Sequence, residues 1–175
     1  SLELAEKHLA TRQLSLTVGY DVDNLKDPER REKYGGEVKA DRYGRAVPKH
    51  AHGVERLELF TASTRLISAA VTRLFERIVN RQLLVRRLYL TAEGVVDACS
   101  APEQPDEEGE QLDLFTDYDM RRDEREAQRE MLERERRLQQ AILGVKNKFG
   151  KNAILKGTNF VEGATARERN EKIGG

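Results

Sequence analysis

"HGVERLELFTASTRLISAAVTRLFERIV", residues 52–79, holds two hydrophobic periods back to back. Up to Phe60 the pattern is extended and alternating, as in a half-buried strand. From residue 64 onward the period changes. Leu66, Ile67, Ala70, Val71, Leu74, Phe75, Ile78 and Val79 form one wide helical stripe, and Arg65, Thr72, Arg73, Glu76 and Arg77 lie away from its centre. Thr61 or Ser63 can cap this helix by accepting a hydrogen bond from a free N–H of its first turn. Burying about six such side chains is worth roughly 10 kcal/mol before entropy. A helix with that much apolar surface must lie on a sheet, so the fold is α+β.

The flanking segments supply the rest of the sheet. "RQLSLTVGYDV", residues 12–22, alternates, with Leu14, Leu16 and Val18 on one face and Ser15 and Thr17 on the other. "QLLVRRLYLTAEGVVDA", residues 82–98, places Leu84, Leu88 and Leu90 inward and Val85, Arg87, Tyr89 and Thr91 outward, and can run past Gly94 to Val96. Arg86 breaks the inward register and must snorkel to an edge. Leu2, Ala5 and Leu9 recur at helical spacing, which predicts a helix over residues 1–11. The chain opens "SLELAEKHLA" without methionine and already in that rhythm, as a fragment starting inside a helix would. Residues 1–98 therefore read helix–strand–strand–helix–strand: an antiparallel three-stranded sheet with two helices on one face and a polar, basic face opposite. Residues 21–49, with Pro28, Gly35, Gly36, Gly44 and Pro48, read as a long charged loop, and a loop this long is either functional or mobile.

Charge divides the remainder. The 175 residues have no net charge, yet residues 1–100 carry 17 basic and 14 acidic side chains. Residues 101–120 carry 8 acids and no base, and residues 121–175 carry 14 bases and 9 acids. Residues 99–118 are thus an acidic linker. Residues 119–149 return to helical period, with Ala127, Met131, Leu138, Ile142, Val145 and Phe149 on one stripe among Glu and Arg residues spaced to support each other. That stripe is a partner or coiled-coil face, or folds back on the domain. The basic, glycine-punctuated tail 150–175 is expected to be flexible alone. The single cysteine, Cys99, forms no internal disulfide and fits a reducing compartment. With no membrane-length apolar run and no signal peptide, a cytoplasmic location is the default. His50, His52 and Cys99 make a poor metal site, because a closed zinc site takes four protein ligands and no fourth is evident.

Inside the acidic linker sits an apolar plug, Gln111-Leu112-Asp113-Leu114-Phe115. Four fixed positions of this kind arise by chance on the order of 10⁻⁵ per window. The acids repel one another and keep the strap extended. An apolar cluster on such a tether is the usual form of a peptide that docks in a partner's pocket, the alternative being that it packs back on the domain. "QLDLF" resembles the motif by which bacterial DNA polymerases and repair proteins dock on the ring-shaped β sliding clamp. The resemblance implies that Gln111 hydrogen-bonds in a small polar pocket. It also implies that Leu112 and Asp113 are spacers or rim, and that Leu114 and Phe115 fill an apolar cleft.

The order of elements, with "RYGRAVPKHAHG", "STRLISAAVTRLFERIV", "LLVRRLYLTAEGVVD" and the tail "KNAILKGTNFVEGATARERNEKIGG", resembles the C-terminal part of UmuC-like Y-family translesion polymerases over essentially the whole chain. Residues 1–98 would then be the little finger, whose open sheet face holds duplex primer-template DNA. The family's sheet has four strands, and its first strand is not in this sequence. The palm is not in it either, so the resemblance assigns Mg²⁺ and polymerase catalysis to other parts of such a protein, and no cofactor or catalytic residue here. The expected DNA contacts are Ser15, Thr17, Lys49, His50, Arg56, Arg86, Arg87, Tyr89 and Thr91, all donors suited to phosphate without sequence preference. The implied role is translesion synthesis in the response to DNA damage, with the C-terminal helix free for other damage-response proteins or for a homodimer. The rival reading is a non-catalytic clamp-binding adaptor with a partner-binding helix.

Overall fold

A computed structural model describes residues 1–101 and 118–172. The chain divides into two compact units, Leu9–Asp106 on one hand and Ser1–His8 with Glu107–Gly175 on the other.

The first unit is built on β1 (Leu9–Tyr20), the central strand of an antiparallel sheet. Its inward positions Leu14, Leu16 and Val18 are essentially inaccessible, as the alternation predicts, and Tyr20 continues the row. On one side it pairs with β4 (Ala51–Thr61) and on the other with β5 (Val85–Glu93). The fold is therefore α+β with the three long strands in the order β4–β1–β5. Gly94, at φ +56°, turns the chain after β5, and a separate two-residue strand, β6 (Val96–Asp97), returns to pair with the start of β1.

Helix α4 (Thr64–Ile78) lies over β4 and β1. Ser63 is its cap, with Oγ accepting from the Leu66 N–H at 3.1 Å, while Thr61 Oγ1 accepts from the Ser63 N–H at 3.0 Å. Ile67, Ala70 and Leu74 are buried, and Leu74 joins Leu16, Val18, Tyr20 and Leu83 in the core. Gly53 sets the approach of helix to sheet. A Cβ there would stand 2.8 Å from Leu74 Cδ1 and 2.9 Å from Ile78 Cγ2. Beside it Glu55 pairs with Arg77 at 2.8 Å and Arg73 at 3.6 Å, fixing the helix across the same face.

Residues 21–49 are folded, not a loop. They form α2 (Asp23–Lys26), α3 (Pro28–Lys33) and a hairpin of β2 (Val38–Ala40) with β3 (Ala46–Pro48). Pro28 opens α3, and Asp27 caps it by accepting from the N–H groups of Glu29 and Arg30 at 3.0 and 3.4 Å. Leu83, and not Leu84, is the buried residue ahead of β5. The cause is Asn24, wholly buried, which holds the Leu84 peptide from both sides: its Nδ2 donates to the Leu84 carbonyl at 2.9 Å and its Oδ1 accepts from the Leu84 N–H at 2.8 Å. With that peptide fixed, the Leu84 side chain faces outward, 44% exposed.

In the second unit, α1 is shorter than the spacing predicts, Leu2–Glu6, because His8 takes a positive φ of 54° and ends the helix before β1 begins. Helix α1 packs with α5 (Tyr118–Phe149). Of the expected stripe on α5, Ile142 and Val145 are partly covered and Met131, Leu138 and Phe149 are exposed; Leu132, Gln139 and Leu143 are covered as well, so part of the covered line lies about one residue from the expected one. Gly150, at φ +94°, ends α5 with its N–H on the Lys146 carbonyl at 2.8 Å. The tail, expected to be flexible, carries a 3-10 turn at Gly157–Phe160 and helix α6 (Ala166–Lys172). Asn170 Nδ2 donates to Asn152 Oδ1 at 2.9 Å, tying α6 to the segment after α5.

Candidate nucleic-acid interface

Strand register fixes which side chains share the face of the sheet away from α4. Gln13 lies between Arg56 and Glu93, Ser15 between Val54 and Thr91, and Thr17 between His52 and Tyr89. Gly19 lies beside Arg87, where a Cβ would press to 3.1 Å from Arg87 Cγ. The absent side chain leaves room for the arginine to lie along the strand. Five of the nine expected contacts are therefore brought together: Thr17, Arg56, Arg87, Tyr89 and Thr91. Arg87 donates to the Tyr89 hydroxyl at 2.8 Å, and that bond raises the guanidinium pKa above its ordinary value. Arg87 is thus a fixed cation beside an exposed aromatic ring.

The other four are placed differently. Ser15 is buried, and its hydroxyl and the Gln13 amide are spent on Glu93, whose carboxyl they hold below the usual range. Lys49 is paired with Glu37 at 2.7 Å, a bond that raises its pKa and offsets its charge. Arg86 falls in the bulge between Gly19 and Tyr20, off the outer row, and pairs with Asp21 at 3.1 Å. His50 is exposed in the connection just before β4.

Residue parity would have added three members. His52, Gln13 and Glu93 stand an even number of positions from Arg56, Ser15 and Thr91 and so share their face. His52 Nδ1 lies 3.0 Å from Thr17 Oγ1. Glu93 shares its row with Arg56 and offsets that charge, so the Arg87 end is the more attractive one for phosphate.

Among the described residues no three of His, Cys, Asp or Glu gather to hold a metal ion. The motif Gln111, Leu112, Asp113, Leu114, Phe115 lies outside the described residues. Among those described, no helix is long and apolar enough to cross a membrane. In comparisons with known proteins, no family model, no curated protein and no solved structure matches the chain.

Proposed function

We propose that this chain is the duplex-binding little finger and sliding-clamp tether of an error-prone Y-family DNA polymerase acting in translesion synthesis. The observation that carries this reading is the outer row of β5: Arg87, Tyr89 and Thr91 side by side, with Thr17 and Arg56 on the neighbouring strands. Hydroxyls and guanidiniums that have no carboxylate partner among the described residues, at strand spacing, meet phosphates without reading bases. The motif Gln111 to Phe115 would add a second attachment on the β clamp. Two weak attachments on one chain hold DNA far better than either alone, because the second is made at high local concentration.

The test is a binding series on the full chain. Arg56→Glu with Arg87→Glu should weaken binding to every duplex alike and flatten the salt dependence by about 0.9 for each phosphate no longer neutralised. Leu114→Ala with Phe115→Ala should cost roughly 3 kcal/mol or more of clamp binding and leave thermal stability unchanged. Unaltered duplex affinity in the first variant, or unaltered clamp affinity in the second, would remove the corresponding half of the reading. The rival, an adaptor that does not touch DNA, is favoured by the exposed Met131, Leu138 and Phe149 on α5. It expects clamp binding with no duplex binding at any salt.

A further inference from the structure

The tip of the β2–β3 hairpin, Asp41-Arg42-Tyr43-Gly44-Arg45, is built as a rigid presenter. Asp41 Oδ1 accepts from the N–H groups of Tyr43 at 2.8 Å and Arg45 at 3.0 Å. Its Oδ2 takes both Nε and Nη2 of Arg45, at 2.8 and 2.7 Å. Gly44 closes the turn at φ +75°, a conformation costly for other residues, with its N–H on the Asp41 carbonyl. The product of this bonding is Tyr43 held outward, 67% exposed, with the Arg42 and Arg45 guanidiniums 4.9 and 5.1 Å from its ring centroid.

Arg45 lines a cavity with Val22, Leu25 and Lys26, and the adjoining Asp21 pairs with Arg86 of β5 at 3.1 Å, so the hairpin stands near the Arg87 end of that strand. There Tyr89 is 55% exposed, with the Arg87 guanidinium 5.9 Å from its ring centroid. Arg45 is committed to Asp41. Arg42 and Arg87 have no carboxylate partner among the described residues. Two exposed tyrosines therefore stand beside two arginines that no described carboxylate neutralises. Duplex DNA hides its base faces and could use only the cations and hydroxyls, not the aromatic rings. Unpaired bases offer π faces to the rings, and their backbone offers phosphates to the guanidiniums.

We propose that the Arg42–Tyr43 tip and the Arg87–Tyr89 pair form a binding patch for single-stranded nucleic acid, with the rings stacking unpaired bases and the arginines taking the adjacent phosphates. The patch extends beyond the duplex-binding reading, since Tyr43 lies off the sheet and serves a different form of nucleic acid.

The test is fluorescence anisotropy of the full chain with labelled oligo(dT), oligo(U) and a duplex of the same length. Tyr43→Ala should weaken oligo(dT) binding by about 5- to 100-fold, the worth of one stacked base, and leave duplex affinity unchanged. Tyr43→Phe should bind as the parent does. Arg42→Ala should flatten the salt dependence of oligo(dT) binding by about 0.7, one single-strand phosphate. Oligo(U) should bind as oligo(dT) does, because stacking and phosphate pairing do not read the sugar. The proposal is overturned if the parent does not bind oligo(dT) at low salt, or if Tyr43→Ala leaves that binding intact. It is also overturned if Tyr43→Ala weakens duplex binding equally, or if the two oligomers differ by more than about tenfold. Failure of Arg56→Glu with Arg87→Glu to weaken duplex binding would strike the duplex reading and leave the Tyr43 comparison standing.

Discussion

Asn24 joins two parts of the chain that are sixty residues apart. Besides both polar groups of the Leu84 peptide, it bonds the Asp21 carbonyl at 2.9 Å, and the Asp21 N–H in turn donates to the Leu84 carbonyl. One buried amide thus continues the ladder where β1 has ended and β5 has not yet begun. Asn24→Ala leaves the Leu84 N–H without its acceptor in a place water reaches poorly. The expected cost is about 1–3 kcal/mol, read as a lower midpoint in chemical or thermal unfolding. An unchanged midpoint would mean that water replaces the amide and that the bond adds nothing to stability. The sequence hides this role because Asn24 sits in a run of charges, and its partner is an ordinary leucine far along the chain. Leu14, Leu16, Val18 and Leu74 are legible for the opposite reason: each repeats the period of its own element, so local pattern and final burial agree.

At the scale of elements, α4 is readable because fifteen residues repeat one stripe and a serine caps it. The β2–β3 hairpin is not, because each strand has three residues and alternation needs more. Its stability comes from Asp41 at the turn. The Arg45 guanidinium, followed by the Arg45 and Tyr43 N–H groups, lowers the Asp41 pKa from 3.8 to about 2. A carboxyl depressed on folding contributes stability that is full above its unfolded value, here 3.8, and lost as pH falls through its folded value, here about 2. The hairpin should therefore keep its turn in mild acid. An NMR titration following the Asp41 carboxyl carbon and the Tyr43 amide should show a shared inflection at about 2, which Arg45→Ala moves upward. An inflection at 3.8 would show that the bidentate pair is not populated. The phase error on α5 has a different origin. Glu, Gln and Arg side chains carry apolar stems, so a helix this charged can be covered along a line that its aliphatic residues do not mark.

In the whole molecule, the sheet ends in two unlike edges. Strand β4 is overlaid by α4 and buries Leu57, whereas on β5 Leu88 and Leu90, whose neighbours Val18 and Leu16 are sealed, are 54% and 49% exposed. Leu84 and Val85 extend this uncovered strip at 44% and 39%. A nine-residue edge strand with apolar side chains on its inner face readily recruits another strand, because pairing satisfies its free backbone groups and covers its leucines together. Edge-to-edge pairing of two β5 strands would leave Arg87, Tyr89 and Thr91 uncovered, since they project from the plane of the sheet and not along it. The two outer faces would then run on as one. Self-association at micromolar concentration is the expected outcome, measured by light scattering on the full chain. Leu88→Lys with Leu90→Lys should return it to a monomer with little loss of stability, both positions being already half in water. A protein monomeric at every concentration would rule out the edge as an adhesive surface. A double variant that associated as strongly as its parent would move the interface elsewhere, with the exposed side of α5 next in line.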